Sequence, residues 1–110
     1  MNIYNLLKGE ILQQDLLNYY NANISYKTLP EGIDGFIFSY DSIYNIIINN
    51  KLSYYKKKKI IIHELAHLEL SQLNQKDNDL LYLKRNNYED EADMYIKSIK
   101  KRLEEQIWVC

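Results

Sequence analysis

Both histidines of the chain lie in one short stretch, His63-Glu64-Leu65-Ala66-His67. On a helix, side chains four positions apart lie one above the other on the same face, so two imidazoles at this spacing can reach a single metal ion. Glu64 lies beside that face, close enough to accept a proton from water at the metal. The stretch therefore predicts a site in which His63 and His67 bind Zn²⁺ and Glu64 is the catalytic base.

An alternative that needs no metal is a pair of hydrogen-bonded core histidines with an incidental glutamate beside them. The motif lies in a segment from Ile60 to Leu70 that is apolar on nearly all sides, which is typical of a helix buried in the middle of its domain. Each polar side chain placed there must find a partner, because an unpaired buried polar group destabilises the fold. Packing alone does not require the three residues together, and the sequence therefore favours the metal site.

A catalytic zinc site needs a third protein ligand and an open position for water. Acidic candidates occur in Tyr88–Asp93, at the start of a helix predicted from about Tyr88 to Ile107. The apolar positions of this helix, which must face the core, recur with helical spacing: Ala92, Ile96, Ile99 and Leu103. Glu89 and Asp93 line up beside that stripe, whereas Glu91 falls on the outer side. We therefore predict Glu89 as the third ligand.

Asp93, one turn after Glu89, is predicted to support the site without binding the metal. A carboxylate there can accept the free ring N–H of a bound histidine, with His63 favoured over His67, and so fix the orientation of the imidazole. By itself the acidic cluster would be typical of a solvated helix start, because acidic residues stabilise the first turn. The upstream histidine pair favours the ligand interpretation.

The elements that position these residues follow from the apolar pattern. Helical spacing from Ile3 to Tyr20 predicts one N-terminal helix, with Asn2 as its cap and Gly9 in its middle. Ser53 is predicted to cap the long motif helix, which runs to about Leu73. Three β-rich runs lie between these helices: Ile24–Thr28, Gly35–Tyr40 and Ile43–Ile48.

Short polar segments separate these elements. Leu29–Gly32 predicts a turn, and Asp41-Ser42 is short enough for a hairpin. Asn74 to Asn87 is polar apart from a few leucines, which predicts a loop with a short helical turn. No repeat or low-complexity linker interrupts the chain, so we expect a single domain over residues 1–110.

Bulk composition excludes several classes. Fourteen basic and fifteen acidic residues give a formal charge of −1, which argues against direct nucleic-acid binding by the surface as a whole. One cysteine, Cys110, cannot form an internal disulfide framework. Met1–Tyr20 mixes charged with apolar residues and is not a secretory signal, and no apolar run reaches membrane-spanning length. We expect a cytoplasmic protein without membrane segments.

The pair of motifs His63-Glu64-Leu65-Ala66-His67 and Glu89-x-Glu91-Ala92-Asp93 resembles the ImmA/IrrE family of metallopeptidases, within the gluzincin group. The resemblance implies an α+β, zincin-like domain. Such a domain has an N-terminal helix, a small three-stranded and mostly antiparallel sheet, a central HExxH helix, and a C-terminal helix with the third ligand. Ala66 stands where the family usually has Gly. Leu70 and Leu73 occupy the places where the metzincin pattern needs Gly and His, which excludes that pattern.

The resemblance further implies a zinc-dependent endopeptidase that cleaves a protein substrate, namely a helix-turn-helix transcriptional repressor of a phage or mobile element. The alternative is a non-proteolytic, metal-containing regulator that sequesters a transcription factor, although zinc binding alone would not need Glu64. Substrate could add as a strand to a Tyr44–Asn49 edge, and Tyr82 or Tyr88 could stabilise the oxyanion. The basic run Lys56–Lys59 is interpreted as a solvated helix flank, with an acidic partner or nucleic acid as the alternatives. The oligomeric state stays open.

Overall fold

The computed structural model describes residues 1–73, 81–85 and 90–108, with side chains described over residues 1–70 and 90–105. Helices and strands together make an α+β fold, as predicted. The elements in the described ranges are, in chain order, α1 (Ile3–Leu7), α2 (Gln13–Tyr20), β1 (Ala22–Lys27), β2 (Ile33–Tyr40), β3 (Ile43–Asn49), α3 (Tyr54–Leu73), β4 (Leu81–Arg85) and α4 (Glu91–Trp108).

The N-terminal segment forms two helices, so the prediction of one continuous helix was wrong. Gly9 adopts a left-handed backbone angle, φ 81°, which glycine reaches without steric penalty and which a helix cannot contain. A second helix then starts after Leu12, whose N–H donates to the Asp15 carboxylate at 2.8 Å. The predicted cap is confirmed, because the Asn2 side chain accepts the Asn5 N–H at 3.0 Å.

The sheet is mixed, with strand order β1-β3-β2-β4. β1 pairs with β3 in parallel, whereas β2 pairs antiparallel with both β3 and β4. The three predicted strands are present, but the expectation of three strands missed β4, which occupies part of a predicted loop. The predicted Asp41-Ser42 hairpin joins β2 to β3, and both residues have positive φ (52° and 64°), as a tight turn between twisted strands requires.

The strand order also shows that the Tyr44–Asn49 strand, expected as an edge for substrate docking, is not an edge of the sheet. β3, which contains Tyr44–Asn49, is paired on both sides and therefore cannot receive an additional strand. In the described part of the chain the outer strands are β1 and β4.

The long helix α3 lies at the centre of the fold and contacts every other helix as well as β2, β3 and β4. Gly35 of β2 makes this packing possible, because a Cβ there would lie 2.8 Å from the Ile47 backbone oxygen and 3.0 Å from a methyl group of Ile60. The predicted Ser53 cap is present, and its Oγ accepts the Lys56 N–H at 3.2 Å. The largest fully buried apolar side chains come from both helices and strands: Ile3, Leu16, Ile37, Ile46, Ile48, Leu65, Leu68 and Ile99.

The predicted apolar stripe of α4 faces this core, with Ala92, Ile96 and Ile99 buried and Leu103 partly buried. None of the helices in the described ranges is both long enough and apolar enough to cross a membrane.

Candidate metal site

α3 carries both histidines on one face in the interior of the fold. His63 is 1% exposed and His67 is 7% exposed. Their rings are nearly perpendicular, at 82°, and the two Nε2 atoms lie 3.1 Å apart. The predicted i, i+4 geometry therefore brings two imidazole nitrogens to one point.

The start of α4 meets this point through Asp90. Its Oδ1 accepts the N–H groups of Ala92 (3.0 Å) and Asp93 (3.2 Å), so Asp90 is the N-cap of the helix. The other oxygen, Oδ2, lies 3.1 Å from His67 Nε2 and 3.4 Å from His63 Nε2. One carboxylate thus starts the helix and faces both imidazoles.

These three atoms have the spacing that a zinc ion requires. In a tetrahedral site with bonds of about 2.0–2.1 Å, neighbouring ligand atoms lie about 3.3 Å apart. The three distances among the Nε2 atoms and Asp90 Oδ2 are 3.1, 3.1 and 3.4 Å. Two imidazoles and one carboxylate are also a known donor set for catalytic zinc, which leaves the fourth position for water. The residues present therefore fit the ion.

Asp93 sets the tautomer of one histidine. Its Oδ1 lies 2.7 Å from His63 Nδ1. A carboxylate accepts hydrogen bonds, so the proton of this imidazole belongs on Nδ1, and the lone pair of Nε2 points towards His67 and Asp90. This is the tautomer that binds a metal through Nε2.

Replacing Asp93 by Asn should weaken zinc binding by about 10–100-fold, because the amide still accepts the His63 N–H but carries no charge to raise the basicity of the imidazole. Competition with a chromogenic zinc chelator measures the affinity. Glu91→Gln, an exposed change two residues away on the same helix, is the matched control and should bind zinc like the wild-type protein. Equal affinity of all three proteins would contradict this role of Asp93.

Glu64 lies directly beside the histidine pair. Its side chain has no solvent exposure, and its Oε1 lies 3.7 Å from His63 Nε2. A carboxylate at this distance can exchange a proton with a water molecule held next to the imidazoles.

Burial also keeps His67 in its metal-binding form. Removal from water lowers the pKa of His67, and the neighbouring His63 lowers it further, although Asp90 partly opposes the shift. A lowered pKa means that the imidazole is neutral at physiological pH, and only neutral imidazole binds a metal.

The structure brings together four of the five predicted site residues: His63, Glu64, His67 and Asp93. Glu89, the predicted third ligand, lies outside the described residues, as does Tyr88, and the side chain of Tyr82 is not described. Glu91 is exposed, on the outer side as predicted.

Asp90 is the site residue that sequence reasoning missed. The helix was predicted to start at Tyr88, so the third ligand was sought among helical residues beside the apolar stripe. α4 instead starts at Glu91, and Asp90 precedes it. A signal was present: Asp90 and Asp93 are spaced like a capping box ahead of the stripe. Their reciprocal contacts, Asp93 N–H to Asp90 and Asp90 N–H to Asp93 at 3.4 Å, follow that pattern.

A second buried carboxylate, Glu69, also escaped the sequence reasoning. It accepts hydrogen bonds from the Ile3 N–H at 2.8 Å, the Tyr20 hydroxyl at 3.2 Å and the Tyr95 hydroxyl. Burial and the nearby Glu69 raise the pKa of both tyrosines, so they stay protonated and donate. Glu69 ties α1, α2 and α4 to α3 and thereby holds the motif helix in place.

The sequence around this site matches a known peptidase family. The family model described as the IrrE N-terminal-like domain, a peptidase family, matches residues 18–97. The match covers most of the chain and includes both histidines and the acidic segment before α4. No curated protein and no solved structure shows a significant match.

Proposed function

Because the chain belongs to the ImmA/IrrE family of metallopeptidases, we propose that it is a zinc-dependent endopeptidase that hydrolyses a peptide bond in a protein substrate. The observation that carries the proposal is the meeting of two imidazole Nε2 atoms and a carboxylate oxygen within 3.4 Å of one another, beside the buried Glu64. Zinc fits this donor set and spacing.

The proposed arrangement is zincin-like. α3 supplies His63, Glu64 and His67, and the N-terminal end of α4 supplies the third ligand. Two neighbouring carboxylates are candidates for that ligand. The geometry of Asp90 Oδ2 supports Asp90, and the periodicity of the sequence supports Glu89.

When bound, zinc supplies Lewis acidity, which polarises a substrate carbonyl and lowers the pKa of water. Glu64 then accepts a proton at its carboxylate from the attacking water and returns it to the leaving amine nitrogen. His63 is held by Asp93 and keeps its Nε2 lone pair directed into the site. The burial of Glu64 and both histidines limits competing water around these groups.

By family resemblance, we propose a helix-turn-helix transcriptional repressor of a phage or mobile element as the protein substrate. Such a substrate is cytoplasmic, and the peptidase would act in the same compartment.

The test combines metal analysis with cleavage. The purified chain should contain one zinc ion per molecule, and His67→Ala should lose it, because removal of one of three protein ligands leaves an incomplete site. Incubation with the helix-turn-helix repressor proposed as substrate should give discrete fragments that EDTA prevents and added zinc restores. A zinc-free wild-type protein, or cleavage that EDTA does not affect, would contradict the proposal.

A further inference from the structure

A group of exposed tyrosines and lysines surrounds the first turns of α3, before the histidine pair. We call Tyr54, Tyr55 and Lys56–Lys59 the Tyr–Lys surface. Both tyrosines are 74% exposed, and three of the four lysines are exposed as well. Lys59 precedes His63 by four residues, so this surface begins about 6 Å before the metal site along the same helix, and Lys59 is exposed whereas His63 is buried.

The Tyr–Lys surface extends onto the end of β1. Lys57 Nζ lies 5.4 Å from the ring centre of Tyr26, which is itself 49% exposed. Lys58 Nζ lies 4.9 Å from the ring centre of Tyr54. In cation–π contacts of this kind the ammonium group is attracted to the face of the aromatic ring, so these lysines and tyrosines lie next to one another.

Positive charge is concentrated here although the chain as a whole carries −1. Residues 42–63 contain five lysines and no acidic residue. In the part of the chain that the structure describes, none of Lys56–Lys59 forms an ion pair with a carboxylate. No carboxylate of the described residues therefore neutralises these ammonium groups.

The position of these lysines opposes the stability of their own helix. The N-terminal turn of a helix carries partial positive charge, so a lysine there is unfavourable and an acidic residue favourable. Lys56 is the third helical residue after the Ser53 cap. A glutamate at that place would complete a capping box and stabilise the helix. Exposed residues that lower the stability of their own helix, as these lysines do, are expected where the surface serves binding.

We infer that the Tyr–Lys surface docks an acidic segment of a partner protein. Its cations are all lysines, which meet an anion as point charges and form no bidentate fork with a carboxylate or a phosphate. Exposed tyrosines are enriched in protein interfaces. A long polyanion such as nucleic acid would extend beyond this small surface and meet an otherwise acidic chain.

The test measures binding by fluorescence polarisation in the full chain carrying Glu64→Gln, so that failure of docking is separate from failure of the peptidase proposal. The probes are a labelled peptide of alternating Glu and Ala, the same peptide with Gln for Glu, and a labelled oligothymidylate of equal charge. The binding variant is Lys56→Glu with Lys59→Glu, two exposed residues. Lys100→Glu with Lys101→Glu, exposed on α4, is the control of equal charge change.

The Glu peptide should bind, and its binding should weaken with added salt. The Lys56/Lys59 variant should lose about tenfold in affinity, the size expected from the loss of two exposed ion pairs. The control variant should bind within about twofold of the unaltered surface. The melting temperature of the Lys56/Lys59 variant should rise, because the Lys56→Glu change completes the capping box. A loss of binding together with a gain of stability cannot come from unfolding.

Three results would overturn the inference. They are absence of binding by the Glu peptide, equal loss in the two charge variants, and tighter binding of the oligothymidylate than of the Glu peptide. The last would assign the surface to nucleic acid instead.

Discussion

Glu64→Gln should lower the rate of substrate cleavage by about 10²–10⁴-fold, the range that a general acid–base group contributes. The amide has nearly the shape of the carboxylate, but it cannot accept a proton from the attacking water. Because Glu64 is fully buried and contributes none of the three atoms that meet at the metal position, zinc content should stay at the wild-type level. Quantification of repressor fragments on gels, with metal analysis of the same samples, measures both quantities.

The same variant separates the two functions that the sequence leaves open. A peptidase that has lost its base should still bind the repressor but no longer relieve repression in a reporter assay. A regulator that only sequesters the repressor should relieve repression as well as the wild-type protein does. Glu91→Gln, an exposed change of the same chemistry, should leave cleavage and repression unchanged. Full biological effect of Glu64→Gln would end the peptidase proposal.

Short-range patterns predicted the elements of this fold better than their pairing. Ile43–Ile48 is β-rich by its own residues, and β3 is present there. Its central place in the sheet depends on parallel pairing with β1, a contact between distant residues that no local pattern records. For that reason an edge was expected at β3, where the structure has none.

β4 and the N-terminal helices show two other ways in which local patterns fail. Leu81–Arg85 is only five residues long, and its polar neighbours favoured a loop, whereas antiparallel pairing with β2 makes it a strand. At the N-terminus the apolar period continues through Gly9 and therefore predicted one helix. Periodicity does not register that glycine can take a left-handed angle, and the chain turns there.

The metal site also has one part that a local pattern predicts and one part that depends on the tertiary structure. The histidine pair needs only the geometry of one helix, and that geometry is fixed once α3 forms. The third ligand depends on where α4 begins, because a shift of one residue rotates a side chain by about 100° around the helix axis. Asp90 reaches the imidazoles as the cap of α4 rather than as one of its helical residues. A period of 3.6 residues cannot predict the direction of a side chain that precedes the helix.

Asp90→Asn should therefore lower zinc affinity by at least about 100-fold, more than the loss of an outer-shell partner of a metal ligand. The Asn amide oxygen carries no charge and binds zinc poorly. Asparagine caps a helix about as well as aspartate, so α4 and the melting temperature of the metal-free protein should be retained. The loss of zinc can then be assigned to the ligand and not to the fold. Competition with a chromogenic chelator measures the affinity, and circular dichroism checks the helix.

Glu89→Gln is the matched comparison, because it removes the neighbouring carboxylate that periodicity predicts as the ligand. With Asp90 as the ligand, this variant should keep zinc and cleavage. The reverse result, in which Glu89→Gln loses zinc and Asp90→Asn retains it, would return the role to Glu89 and leave Asp90 as a cap alone. Retention of zinc by both variants would contradict a ligand from the start of α4. The site would then lack the third protein ligand that a catalytic zinc ion requires.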